Sequence, residues 1–294
     1  VKPNQRLKLD KASASVTKTS IPAVANTVFA EVTQESKINH VHQESSFNDF
    51  ATEILLPHRQ SQHGPALSVA DVNGDNLDDV FVGSSTGQSA KMYVQSSSGA
   101  FSLATNQPWN TYIKSEEIGS HFFDSDGDGD LDLYIAAGST EFALGDKAYQ
   151  DCLYTNDGKG NFSEAKGAIP SSRTSTKTVV SADIDADGDL DLFVGGRNVP
   201  GAYPKSPNSF VLINTNGTFE DKTREWNNSL RFAGMVTDAV FADITEDNLP
   251  DLILCSEWGA IRFFENTGDS FIEITETISD PAVKGWWYSL TVDD

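Results

Sequence analysis

Four short acidic segments hold the residues best suited to chemistry. They begin at Asp71, Asp124, Asp183 and Asp243. With the first aspartate as position 1, positions 1, 3, 5 and 9 are Asp71, Asn73, Asp75 and Asp79 in the first segment. In the second they are Asp124, Asp126, Asp128 and Asp132, and in the third Asp183, Asp185, Asp187 and Asp191. In the fourth they are Asp243, Thr245, Asp247 and Asp251. Alternate side chains of a tightly curled loop converge on one point. Position 7 (Leu77, Asp130, Asp189, Leu249) would add a backbone carbonyl. Position 6 (Asn76, Gly129, Gly188, Asn248) supplies residues that tolerate a left-handed backbone.

Every one of these donors is a hard oxygen, and carboxylates so crowded repel one another without a cation. That chemistry selects Ca²⁺ over zinc or copper, which favour histidine and cysteine, and over Mg²⁺, which keeps more of its water. Up to four calcium sites are expected. The Asp243 loop should be the weakest because Thr245 replaces a carboxylate, and Asn73 should make the first loop weaker than the second and third. An EF-hand is excluded, since position 12 is Val82, Ile135, Val194 or Leu254, where that motif needs a bidentate glutamate. One such segment alone could be a solvated acidic turn; four in phase argue against that reading.

Other chemistry is sparse. No GxSxG, HExxH, Walker or Rossmann pattern occurs. His40, His42, His58 and His63 fall in one stretch and read as surface or packing residues rather than a transition-metal site. His121 reads as a packed or edge residue. Glu116, Glu117 and Glu257 read as solvated loop carboxylates. At least one tryptophan of Gly285-Trp286-Trp287-Tyr288 is expected in the core. Trp258, at a strand end before Gly259, is the best candidate for an aromatic that faces a ligand.

The elements that carry these loops repeat with them. The first aspartates are 53, 59 and 60 residues apart. Each acidic segment lies between short apolar runs too short for helices, such as VFVG, LYIAAG, LFVGG and LILC. A further strand follows, then an Asn/Gly turn, then a strand that opens on Phe101, Phe162, Phe219 or Phe271. The period predicts an all-β chain: a β-propeller of four-stranded antiparallel blades, with little helix. The units fall at about residues 66–105, 118–166, 178–223 and 237–277, with a partial fifth from residue 285. Residues 1–20 read as a polar linker, 21–294 as the propeller, and 40–64 as an insertion. The segment led by Phe29 resembles an outer strand without a blade of its own. These ends predict an incomplete set of about four blades and a stub, part of a longer polypeptide.

The chain has 294 residues, with 21 Lys and Arg against 43 Asp and Glu, a formal net charge of −22. Such an acidic chain repels nucleic acid. No apolar run approaches the ~20 residues of a spanning helix. Cys152 and Cys255 give no disulfide framework and are expected as buried thiols.

The pattern D-x-[DN]-x-D-[GN]-x-x-D, followed by a short apolar strand and Gly, resembles the FG-GAP or VCBS-type repeat of integrin-like β-propellers. HGPALSVADVNGDNLDDVFVG, LYTNDGKGNF and GWWYSL also resemble bacterial proteins with an ASPIC and UnbV region, related to cartilage acidic protein. The resemblance covers roughly residues 27–294. It implies seven blades, calcium in several loops, an extracellular or cell-surface location (a bacterial outer surface), and a non-catalytic role in recognition or adhesion with a protein or glycan ligand. The alternative is a propeller-based polysaccharide lyase or glycosidase with structural calcium.

Overall fold

The computed structural model describes residues 29–111 and 113–293; the expected linker at residues 1–20 lies outside them. The chain is all-β, organised as four antiparallel sheets of four strands each. The first sheet holds β1 (Leu67–Ala70), β2 (Asp79–Val82), β3 (Lys91–Gln95) and β4 (Phe101–Leu103). The second holds β5 (Glu116–Phe123), β6 (Asp132–Gly138), β7 (Cys152–Asn156) and β8 (Phe162–Glu164). The third holds β9 (Ser175–Ala182), β10 (Asp191–Asn198), β11 (Phe210–Thr215) and β12 (Thr218–Asp221). The fourth holds β13 (Met235–Ala242), β14 (Asp251–Gly259), β15 (Arg262–Asn266) and β16 (Phe271–Glu273). Strand order follows chain order in each sheet, as short turns between antiparallel neighbours require. Among the described residues no helix exceeds five residues, and none is long and apolar enough to cross a membrane.

Burial explains the apolar runs. Every residue of β6 and β10 is buried, because each has a strand on either side and a packed sheet against each face. Three cores separate the four sheets. Phe81 and Met92 of the first meet Leu133, Ile135 and Tyr154 of the second, with Trp109 between them. Tyr134 and Leu153 of the second meet Leu192, Val194 and Leu212 of the third. Phe193 and Val211 of the third meet Leu252, Leu254 and Phe264 of the fourth, with Trp226 alongside Phe271. The first strands of successive sheets, β1, β5, β9 and β13, lie side by side. Their approach is close: a Cβ on Gly119 of β5 would sit 1.6 Å from the carbonyl oxygen of Lys177 in β9.

Three expectations are corrected. The Phe29 segment forms no strand; Thr33–Ser36 is a single helical turn and Phe29 is exposed. Without a neighbouring strand its backbone groups have nothing to pair with. No fifth sheet occurs among the described residues. Gly285–Trp286 (β17) instead pairs with Gly259 and Glu257 at the end of β14, beyond the reach of β15. Neither tryptophan of that segment is fully buried: Trp286 is exposed and Trp287 half-buried, with the Trp287 indole N–H donating to the Gly259 carbonyl at 3.0 Å. Cys255 is a buried free thiol, whereas Cys152 is only partly buried.

Candidate metal loops and the opposite rim

Each acidic segment joins the first and second strands of its sheet, and the four loops fold alike. The carboxylate at position 1 gathers backbone N–H groups from its own loop. Asp71 accepts from Gly74 at 2.8 Å and Asn76 at 2.7 Å, and Asp124 from Gly127 at 2.8 Å and Gly129 at 3.0 Å. Asp183 accepts from Asp187 and Gly188, both at 3.1 Å, and Asp243 from Asp247 at 3.1 Å and Asn248 at 2.9 Å. The position 5 carboxylate accepts the N–H of position 7 at 2.9 Å in all four loops: Asp75 from Leu77, Asp128 from Asp130, Asp187 from Asp189, Asp247 from Leu249. Position 6 is left-handed throughout, with φ of 64° at Asn76, 90° at Gly129, 99° at Gly188 and 70° at Asn248.

This curl brings carboxylates together. Oxygens of Asp124, Asp126 and Asp128 lie within 4.8 Å of one another, and those of Asp183, Asp185 and Asp187 do the same. Ligand oxygens around one Ca²⁺ are at most about 5 Å apart, so both triads fit such an ion. Burial, then the neighbouring carboxylates, raise the pKa of Asp126 and of Asp185. Asp71 differs: burial works to raise its pKa, but four backbone N–H donors prevail and lower it. In the fourth loop Thr245 Oγ1 is buried without a hydrogen-bond partner, at the position where the second and third loops place an aspartate.

The position 9 aspartates, Asp79, Asp132, Asp191 and Asp251, are fully buried. One oxygen of each accepts the N–H of position 2: Val72 at 3.2 Å, Ser125 at 3.0 Å, Ile184 at 3.0 Å and Ile244 at 2.9 Å. The other accepts the N–H that ends the third strand: Gln95 at 2.8 Å, Asn156 at 2.8 Å, Asn214 at 2.7 Å and Asn266 at 2.8 Å. These carboxylates clamp loop to sheet. Three of those asparagines also reach between sheets. The Asn156 amide donates to the Val72 carbonyl, Asn214 to Ser125 and Asn266 to Ile184, each at 2.8 Å, and each also donates to a carbonyl of its own loop. Sequence reasoning took them for turn residues. Their recurrence at the end of the third strand was the available signal.

The repeat is now visible at the level of single hydrogen bonds. The profile of the FG-GAP-like repeat family matches residues 34–135 and 138–194, more than half of the chain. The chain belongs to the FG-GAP-like repeat family. No curated protein matches it. Among solved structures the chain is similar to an Agrocybe aegerita lectin, described for specific recognition of non-reducing terminal N-acetylglucosamine. There the identity is 14%, with 72% of this chain and 51% of that one covered and a TM-score of 0.42. It is also similar to the V. cholerae biofilm matrix protein Bap1, at 16% identity, with 76% of this chain and 40% of that one covered and a TM-score of 0.33. The chain spans about half or less of the length of these two.

The other end of the FG-GAP sheets carries different chemistry. Six residues separate Asp251 from Glu257 along β14, about 20 Å of strand. Glu116, Glu117 and Glu257 all lie on that far rim and are all buried, which overturns their reading as solvated carboxylates. Burial, reinforced by Glu44, Glu141 and Asp49, pushes the Glu116 pKa up to about 9. Burial raises Glu117 to about 7 against hydrogen bonds from Ser84. Glu257 instead pairs with the fully buried Arg197, which donates to Oε2 at 2.6 Å. The Tyr203 hydroxyl donates to Glu257 Oε1 at 2.6 Å and accepts the Trp258 indole N–H at 2.5 Å.

The histidines of the insertion divide. His58 and His63 lie on this rim with ring centroids 5.9 Å apart; His40 stacks on His42 at 6.4 Å and meets Tyr93 edge-on. His121 packs as expected, stacked on Phe123 and bonded to Ser181 at 2.8 Å.

Proposed function

We propose that the chain is a calcium-bound propeller segment serving as an extracellular recognition or adhesion scaffold without catalytic activity. The observation that carries this reading is the shared geometry of the four loops, two of which hold carboxylate triads at calcium spacing. Asp71, Asn73, Asp75 and Asp79 would serve one ion, with the Leu77 carbonyl. Asp124, Asp126, Asp128 and Asp132 would serve the second with that of Asp130, and Asp183, Asp185, Asp187 and Asp191 the third with that of Asp189. Asp243, Thr245, Asp247 and Asp251 would serve the fourth with that of Leu249. Calcium supplies charge neutralisation there: it lets crowded carboxylates remain ionised and ties the loop to the strand it precedes. Plentiful extracellular calcium suits such loops. The four sheets then act as four of the seven blades expected of the family, with Trp258 facing a ligand.

The test is thermal unfolding with calcium titrated against a chelator. An ion that binds only the folded chain stabilises it by about 2.7 kcal/mol per site at a hundredfold excess over Kd. The double variant Asp126→Ala, Asp185→Ala should lose most of the gain. A folded protein whose melting temperature ignores calcium would overturn the proposal.

A further inference from the structure

The far rim holds a ring of aromatic and polar groups that the metal loops do not use. Trp258 is 53% exposed and Trp286 is 38% exposed, with ring centroids 4.7 Å apart and planes at 90°. Trp286 meets His58 at 5.5 Å, and His58 meets His63 at 5.9 Å. His63 then lines a cleft of about 410 Å³ with Ser120, Lys177, Thr237, Asp238 and Tyr288. Two indole corners thus lead continuously into a polar cleft.

Trp258 is held there against its own backbone preference. Its φ is +64°, a value that is an outlier for so bulky a residue. In a regular strand it would point away from Glu257. The left-handed turn returns it to the same side, where the Tyr203 hydroxyl bridges its indole N–H to the Glu257 carboxylate. Glu257 is in turn fixed by buried Arg197. Backbone strain persists where surrounding structure over-determines it, and such places cluster at ligand sites. Arg197 Nε and Nη1 and His58 Nδ1 are also buried without partners.

From this rim we infer a binding site for an uncharged oligosaccharide, laid on Trp258 and Trp286 and running past His58 into the cleft. The inference deepens the recognition reading above and rests on it. The Trp258 N–H is already spent inward, so its exposed part offers an apolar face, which matches the C–H face of a pyranose. Around it stand donors and acceptors together, Lys177 and Tyr288 beside Asp238, which match a rim of hydroxyls. Charge selects against the alternatives. The net charge of −22 repels an anionic ligand. Lys177 and Arg197 beside the cleft disfavour a cationic one; burial, then Arg197, already lower the Lys177 pKa.

The test is calorimetric titration of the whole chain, in saturating calcium, with cellohexaose, xylohexaose, mannohexaose, maltohexaose and chitohexaose. Oligogalacturonate, hexalysine and hexaglutamate form the charged arms. At least one neutral hexasaccharide should bind with Kd between about 10 μM and 1 mM. Trp258→Gly should weaken it by about tenfold or more, the loss expected of a central aromatic. Glycine accepts the positive φ, so the melting temperature should hold or rise, which separates lost contact from lost fold. Tyr203→Phe, which removes the bridge and keeps the ring, should weaken binding less than Trp258→Gly. No saturable binding by any neutral probe overturns the inference, as does binding indifferent to Trp258→Gly, or tighter binding by a charged arm. Failure here with calcium stabilisation intact would leave the metal loops standing, so the two proposals fail separately.

Discussion

Replacing Glu116 by glutamine should change how stability depends on pH. Glu116 opens β5 fully buried, near Glu44, Glu141 and Asp49, and its pKa rises from 4.5 to about 9. Below the unfolded value both states carry the proton. Above it the unfolded chain releases the proton while the folded chain keeps it. Folding therefore loses stability as pH climbs from 4.5 toward 9. The slope is about 1.4 kcal/mol per pH unit, so about 3 kcal/mol is lost between about pH 5 and pH 7.5. Glu116→Gln keeps the shape of the neutral acid and has no proton to lose. Urea unfolding of both proteins at these two pH values, in saturating calcium, isolates the effect. Slopes from Glu117 and Asp151, both raised to about 7, are common to the two and cancel. The stability of the variant relative to wild type should improve by about 3 kcal/mol from the lower to the higher pH. Parallel pH profiles would refute the argument, because they would mean that Glu116 ionises in the fold at little cost.

Other outcomes follow from the same geometry. Asn214→Ala strips the Ser125 and Leu190 carbonyls and the Gly217 N–H of their partner; chemical denaturation should show a loss of about 2–3 kcal/mol. Gln95→Ala, at the equivalent place in the first sheet, should cost under about 0.5 kcal/mol, the size usual for a change that breaks no such network. Ala186 has φ of 59° where Gly74 and Gly127 stand in the first two loops, so Ala186→Gly should stabilise by about 0.5–1 kcal/mol, seen as a higher melting temperature. Glu257→Gln leaves Arg197 buried with its charge unpaired; it should cost about 3 kcal/mol or more in unfolding and broaden the emission of Trp258 as the Tyr203 bridge loosens.

Local rules made much of the chain legible. Phe101, Phe162, Phe219 and Phe271 open or enter the fourth strands because the turn before each is written in Asn and Gly. The acidic loops could be read because the curl depends on residues close in sequence: position 1 binds amides three to five residues on, and position 6 needs only a tolerant backbone. The position 9 aspartates were legible as carboxylates beside the loop, but not as clamps, since their second partner is a strand away. Asn156, Asn214 and Asn266 carried a repeating signal whose meaning needed the neighbouring sheet.

What the sequence by itself determined was the repeat, the strand class and the oxygen-rich loops, all set by short-range spacing and periodic burial. Only the tertiary structure decided the far rim. Arg197 and Glu257 are 60 residues apart, and Tyr203 and Trp258 are 55 apart. Glu116 and Glu117 look like surface acids until adjacent sheets close over them. Residue type sets which groups ionise in water, but packing sets whether water reaches them. Ionisation, partner choice and the turned-in Trp258 are therefore properties of the assembled sheets.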